Sequence, residues 1–437
     1  METTTDAMPG GVATTAARRQ SRLAAGVAGS QILKISREIA ELVAQGRTVC
    51  NLTIGDFSSA EFRIPPVLEE GIVQALRAGA TNYPPSLGVP ALREAIREQY
   101  SAELGLDVPL ENVLVTAGAR PGIYGLFRVV VDPGDIVVFP VPTWNNTYYA
   151  LLVGAQGIPV ATTAETAFLP TAAMLERPLR GARLLALNSP LNPAGTCFDA
   201  EGLGAICDLV LEENARRQGT GERPLYLMYD QVYWMLTYGA TRHVHPLALR
   251  PELAPFTVYI DAISKSYAAT GLRVGWAVGP ADLLSHMSDL LGHVGAWAAP
   301  PVQLATAALL RDPGAIAAFH EPMKLGLQAR LDRLFHGLMD MKARGLPVDA
   351  FPPAGAIYLS ARFALNGRVH ADGRRLETNE DVREYLLQEA GFAAVPFQAF
   401  GVTEDTGWFR LSAGAVSLEE IDRALPRVEA AVRALSR

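Results

Sequence analysis

The segment SKSYAATGLRVGW at 264–276 sets Lys265 eight residues ahead of Arg273. A lysine that follows the apolar run 256–260 could hold an aldehyde cofactor as a Schiff base. The arginine, planar and permanently charged, could close on a phosphate. Asp230 follows LYLMY and stands three residues before Tyr233. A carboxylate at a strand end could pair with a protonated pyridine nitrogen, and the tyrosine could donate a phenolic hydrogen bond on the same face. A turn aspartate beside a core tyrosine would look the same. Asn192 lies in NSPLNPAG, where two prolines and a glycine impose an irregular turn, and its amide could bond a ring hydroxyl or simply hold the turn. Trp144, in FPVPTW, could stack on an aromatic ring, although a lone tryptophan is more often core. Gly118 and Ala119 precede a helical pattern whose first amides could receive a phosphate. Arg410 lies between apolar residues in WFRLSAG and wants an anion, either a substrate carboxylate or a structural partner.

These residues need elements to carry them. Strands are expected at 48–54, 112–116, 135–139 (stopped by Pro140 and Pro142), 184–187, 225–229 and 257–260. Helices are expected at 32–42, 65–76, 91–100, 121–130 and 203–214. Strands that repeatedly end at polar residues suggest an α/β architecture, a mostly parallel sheet with its site along the carboxyl ends. One long helix over 302–342 should leave this sheet. It leads to strand-like segments at 356–359, 393–396 and 409–411 and a final helix at 418–435, the makeup of a smaller α/β domain. Residues 366–380 read as an exposed loop. The expected division is a loose tail at 1–27, a segment at 28–66 contributing to the small domain, a large domain at 67–315 and the small domain at 316–437.

Composition narrows the function. At 437 residues the chain can bury a large core in two domains. Its 38 basic and 45 acidic side chains give a formal charge of −7, which offers no global case for nucleic acid. Cys50, Cys197 and Cys207 show no CxxC spacing and read as core thiols of a reducing compartment. No apolar stretch is long enough for a membrane span, and the first twenty residues lack the core of a secretory signal, so a cytoplasmic location is expected. The seven histidines form no metal-binding motif, and no metal site is expected. Neither a G-x-S-x-G elbow nor a P-loop is present.

Taken in order, the motifs NLTIGDF, TNYPPSLGVPALREAI, TAGARPGIYG, FPVPTW, NSPLNPAG, YDQVY, SKSYAATGLRVGW and FRLSAG resemble those of the pyridoxal-phosphate-dependent aminotransferases of fold type I, class I/II. The likeness runs from about 29 to 435. It implies pyridoxal 5'-phosphate as cofactor, an amino acid and a 2-oxo acid as substrates, and a homodimer with shared active sites. By position it makes Lys265 the Schiff-base lysine, Asp230 the partner of the ring nitrogen, and Tyr233 and Asn192 the partners of the ring oxygen. Trp144 becomes the stacking aromatic, and Gly118, Ala119, Ser264 and Arg273 the phosphate cup. Tyr83 matches a tyrosine that reaches the neighbouring subunit's phosphate. Gly55 and Arg410 match the groups that receive the substrate α-carboxylate, with Trp144 and Asn192 beside them.

Several positions depart from the family pattern. Ala262 replaces a frequent hydroxyl three residues before the lysine, NLTIGDF lacks the usual acidic-Pro-Asp continuation, and VPFQAFG stands for the commoner VPG. Arg120 occupies the place of a lysine that, in one bacterial subgroup of aspartate aminotransferases, meets the substrate's distal carboxylate; an arginine could do so bidentately, or merely cap its helix. The segment GSQILK at 29–34 resembles the one that closes over substrate in that subgroup. The resemblance therefore implies aspartate as donor and 2-oxoglutarate as acceptor. Another aminotransferase specificity, β-elimination, decarboxylation or oxidation on the same scaffold remains open, as does a non-catalytic sensory role.

Overall fold

The computed structural model describes residues 20–27, 29 and 31–436. Seven strands form the central sheet in the spatial order Val113–Thr116, Gly275–Val278, Thr257–Ala262, Tyr226–Asp230, Ala182–Asn188, Ile136–Val141, Gln156–Ala161. Only Gly275–Val278 is reversed, running antiparallel to both neighbours. Along adjacent strands Leu184, Ala186, Met228, Val258 and Ile260 enter one apolar cluster. Leu185, Leu187, Leu227, Tyr229 and Tyr259 enter another on the opposite face. Helices cover both faces, which explains why these strands read as continuous apolar runs rather than alternating ones.

A second sheet is antiparallel, in the order Val395–Pro396, Trp408–Ser412, Tyr358–Phe363, Val348–Ala350. The helices Pro313–Ala343, Asn379–Ala390 and Leu418–Ala434 pack around it and share its apolar core. The early residues Cys50–Asn51 pair in parallel with Phe392–Ala393, so the N-terminal segment joins this part of the molecule. The whole is an α/β fold with a mostly parallel large sheet and a smaller α/β portion.

Local details differ from the sequence reading for identifiable reasons. Of the strand expected at 48–54 only Cys50–Asn51 forms a ladder; Leu52 N still donates to Ala393 O at 3.0 Å and Leu52 O accepts from Ser412 N at 2.8 Å before the chain reaches Gly55, whose carbonyl accepts from Lys265. Pro140 does not stop its strand: pairing with Ala182–Asn188 ends at Val138, while pairing with Gln156–Ala161 continues to Val141. Losing one donor does not disturb an alignment held from the other side. The single helix expected at 302–342 is two, Pro300–Leu310 and Pro313–Ala343. Asp312 accepts from Ala315 N at 2.8 Å and Pro313 opens the new helix, a stop and a start side by side. The segment at 393–396 divides at Ala394 between two sheets, and the strand expected at 356–359 begins at Tyr358. Of the expected loose tail, residues 1–19 lie outside the described residues, and Arg22–Gly26 is a short helix. Ser30 of GSQILK and the side chains of 31–33 lie outside them too.

Candidate active site

The register of the large sheet builds the floor of the site. Asn188 lies opposite Asp230, and Asp230 opposite Ile260, so adjacent strands present their carboxyl ends at one level. Asp230 accepts from Val232 N at 3.2 Å. Burial pushes its carboxyl up to about 7, with the Val232 N–H opposing. A carboxylate so placed is stabilised by an incoming cation. Asn188 Nδ2 donates to Asp230 O at 2.8 Å, and Asn188 Oδ1 accepts from Asn192 N at 2.7 Å, tying the proline turn to the strand end. Tyr233 Oη and Tyr358 Oη are 2.8 Å apart.

Lys265 sits in the single helical turn Ile263–Ser266 that follows the strand Thr257–Ala262. Its Nζ donates to Gly55 O at 2.6 Å. Burial lowers its pKa to about 8; Asp56 opposes that shift, and Arg410, Arg120 and Arg273 add to it. A neutral fraction of this amine, the nucleophilic form, is therefore available near pH 8.

One end of the cavity suits a phosphate. Gly118 has φ +88°, and a Cβ there would lie 2.3 Å from Arg273 Nη2, so only glycine leaves the guanidinium its place. The helix Ala119–Val130 starts at the next residue with its first amides free for an anion. Arg273 Nη1 donates to Thr270 O at 2.7 Å, and Asp56 Oδ1 accepts from Thr270 Oγ1 at 2.6 Å. Ser264 lines the same space.

The other end suits a carboxylate. Arg410 is 1% exposed; Nη2 donates to Thr53 O at 2.7 Å and Nη1 to Asn192 Oδ1 at 3.2 Å. Its Nε has no partner, and among the described residues no carboxylate pairs with it. Burial holds its pKa below the ordinary value. A buried, unneutralised guanidinium with a spare donor calls for an anion from outside the chain. Its faces are covered by Tyr358 at 4.6 Å and Phe400 at 4.8 Å. Arg120 lies over Trp144, 5.2 Å from the ring centroid.

The cavity between these two ends has a volume of about 460 Å³ and opens to solvent. Of the residues expected from sequence, Lys265, Asp230, Tyr233, Asn192, Trp144 and Ala119 line it. So do Ser264, Arg273, Gly55, Arg120 and Arg410. Gly118 lies just beneath Arg273, while Tyr83 is 87% exposed, edge-on to Trp297 at 5.4 Å. Asp56, Asn188 and Thr270 also line the cavity and went unread, although each stands inside or beside a motif already singled out. Tyr358 had no signal in sequence: it reads as one more apolar strand residue.

The model of the family "Aminotransferase class I and II" matches residues 47–428. The chain belongs to that family. It is 31% identical over 411 residues to an aspartate aminotransferase of Rhizobium meliloti, covering 93% of this chain and 94% of the relative. It is 32% identical over 408 residues to one of Geobacillus stearothermophilus, covering 91% and 95%. The solved Rhizobium meliloti structure superposes with a TM-score of 0.87 at 30% identity over 95% of this chain and 99% of that one. The Thermus thermophilus aspartate aminotransferase solved with maleate gives 0.83 at 28% identity over 94% and 99%. The protein is a pyridoxal-phosphate-dependent aminotransferase of fold type I. The site accommodates that cofactor on its own evidence: a desolvated carboxylate for a ring cation, an amine lowered to about 8, and a glycine-cleared arginine beside a helix N-terminus. Among the described residues no helix is long and apolar enough to cross a membrane.

Proposed function

We propose that the enzyme transfers the amino group of L-aspartate to a 2-oxo acid such as 2-oxoglutarate. The observation that carries this reading is the surplus of arginine in one cavity. Arg273 is spoken for by a phosphate and Arg410 by an α-carboxylate, which leaves Arg120. Among the described residues Arg120 has no ion pair or hydrogen bond, only the face of Trp144. A second substrate carboxylate would satisfy it.

When bound, pyridoxal 5'-phosphate supplies an aldehyde that carries the amino group and a ring that accepts electrons. Asp230 keeps the ring nitrogen protonated, Tyr233 and Asn192 meet the ring oxygen, and Trp144 covers the ring face. Gly118, Ala119, Ser264 and Arg273 hold the phosphate. Arg410 and the Gly55 backbone fix the α-carboxylate, so that the α-carbon proton faces Lys265. Lys265 Nζ moves that proton as base and then as acid, a task suited to an amine near pH 8. In this reading residues 67–315 hold the cofactor, and 28–66 with 316–437 bring Gly55 and Arg410 to the substrate. Exposed Tyr83 supports a homodimer in which it reaches the neighbouring subunit's phosphate, and a cytoplasmic location goes with the reading.

The test is a single-turnover absorbance scan with excess L-aspartate and no oxo acid, on wild type and Arg120→Gln. Wild type should yield stoichiometric oxaloacetate. The variant should lose about 10- to 100-fold in kcat/KM for aspartate and little for alanine, the worth of a charged hydrogen-bonded pair. An unchanged aspartate-to-alanine ratio would remove the distal-carboxylate role.

A further inference from the structure

Tyr358 is 1% exposed and stands where two functional groups meet. Its hydroxyl is 2.8 Å from Tyr233 Oη, with the rings edge to face at 5.6 Å. Its ring face carries the Arg410 guanidinium at 4.6 Å. The hydroxyl also crowds Gly55, where a Cβ would come within 2.7 Å of it. The chain thus uses a residue without a side chain at 55 to admit this phenol.

Proton counting gives the contact a direction. Each phenol has one proton, and neither hydroxyl has another hydrogen-bond partner among the described residues. If Tyr233 O–H donates its hydrogen bond to an oxygen in the cavity, the 2.8 Å contact survives only with Tyr358 as donor to Tyr233. Accepting that bond polarises Tyr233 and makes its own O–H a stronger donor. The positive charge of Arg410 against the Tyr358 ring strengthens the relay further. Burial pushes both phenols above their ordinary range, so both keep their protons at neutral pH.

The geometry points to Tyr358 as a positioning residue: its hydroxyl orients and strengthens the Tyr233 hydrogen bond to the cofactor's ring oxygen. The inference rests on the reading of Tyr233 given above. The hydrogen bond from Tyr233 stabilises the ring oxygen without its proton. It therefore lowers the pH at which the Lys265-bound cofactor changes its absorbance.

The test is a spectrophotometric pH titration of the holoenzyme in wild type, Tyr358→Phe, Tyr233→Phe and the double variant. Tyr358→Phe should raise the midpoint by about half a pH unit, the scale of one neutral hydrogen bond, and Tyr233→Phe by more. The double variant should match Tyr233→Phe alone, because Tyr358 acts only through Tyr233. A ring-fluorinated tyrosine at 358, which keeps the shape and donates more strongly, should lower the midpoint. If Tyr233→Phe shifts it and the Tyr358 replacements do not, the relay is overturned and the Tyr233 assignment stands. If neither single variant shifts it, both are overturned. Additive shifts in the double variant would mean Tyr358 acts by another route, which also overturns the relay.

Discussion

Asp230→Asn should stabilise the cofactor-free protein at alkaline pH and destabilise the holoenzyme. In the cavity the Asp230 carboxyl titrates at about 7 against an ordinary 3.8, because burial opposes its charge. A raised folded-state pKa means that the folded chain holds a proton the unfolded chain has already released. The associated stability is complete below pH 3.8 and is lost as the pH rises to about 7. At about 1.36 kcal/mol per pH unit the gap bounds the loss at about 4 kcal/mol. Water entering the open cavity screens part of it, so about 2 kcal/mol is the working figure. An amide does not ionise and escapes the penalty. For 437 residues, unfolding entropy of about 0.9 kcal/mol/K converts 2 kcal/mol to roughly 2 °C in Tm. Calorimetry of the cofactor-free proteins should therefore find the variant higher by roughly 2 °C at pH 8 and equal to wild type at pH 4. Reconstitution should invert the order at pH 8, because wild type then pairs its carboxylate with the ring cation and the variant cannot. A cofactor-free variant that melts lower at pH 8, or a gap that does not grow between pH 4 and 8, would refute the claim that burial governs this carboxyl.

Three further outcomes follow from the same geometry. Reattachment of cofactor to the stripped protein should accelerate as pH rises through about 8, where Lys265 loses its proton; a rate flat from pH 6.5 to 9 would contradict the lowered pKa. Gly118→Ala places a Cβ 2.3 Å from Arg273 Nη2 at φ +88°, and should weaken cofactor binding about 10- to 100-fold in an absorbance titration; unchanged affinity would mean the phosphate does not use Arg273 there. Arg410→Lys keeps the charge but not the fork, and should lower kcat/KM for every amino acid about 100-fold, mostly through KM; a loss confined to aspartate would shift its role away from the α-carboxylate.

What was readable in the sequence is what one short stretch of chain encloses. Lys265 and Arg273 share one short segment and Asp230 and Tyr233 a single strand end, so spacing alone places each group beside its neighbour, whereas Asn188 and Thr270 stand within such segments with nothing in their spacing to mark them. The parallel runs were legible because two-sided burial leaves long apolar segments. The continuation of a strand through Pro140 and the break before Pro313 were not, because each depends on which neighbour supplies the pairing or the cap. Tyr358 marks the limit most sharply. It meets Tyr233 across 125 residues and touches Arg410 only because two antiparallel strands bring Leu359 opposite Leu411 and Ser360 opposite Arg410. A tyrosine in an apolar strand reads as core whether its hydroxyl faces a void or a working phenol. Only the meeting of the two sheets separates those cases, and that meeting turns a core residue into one with a titratable consequence.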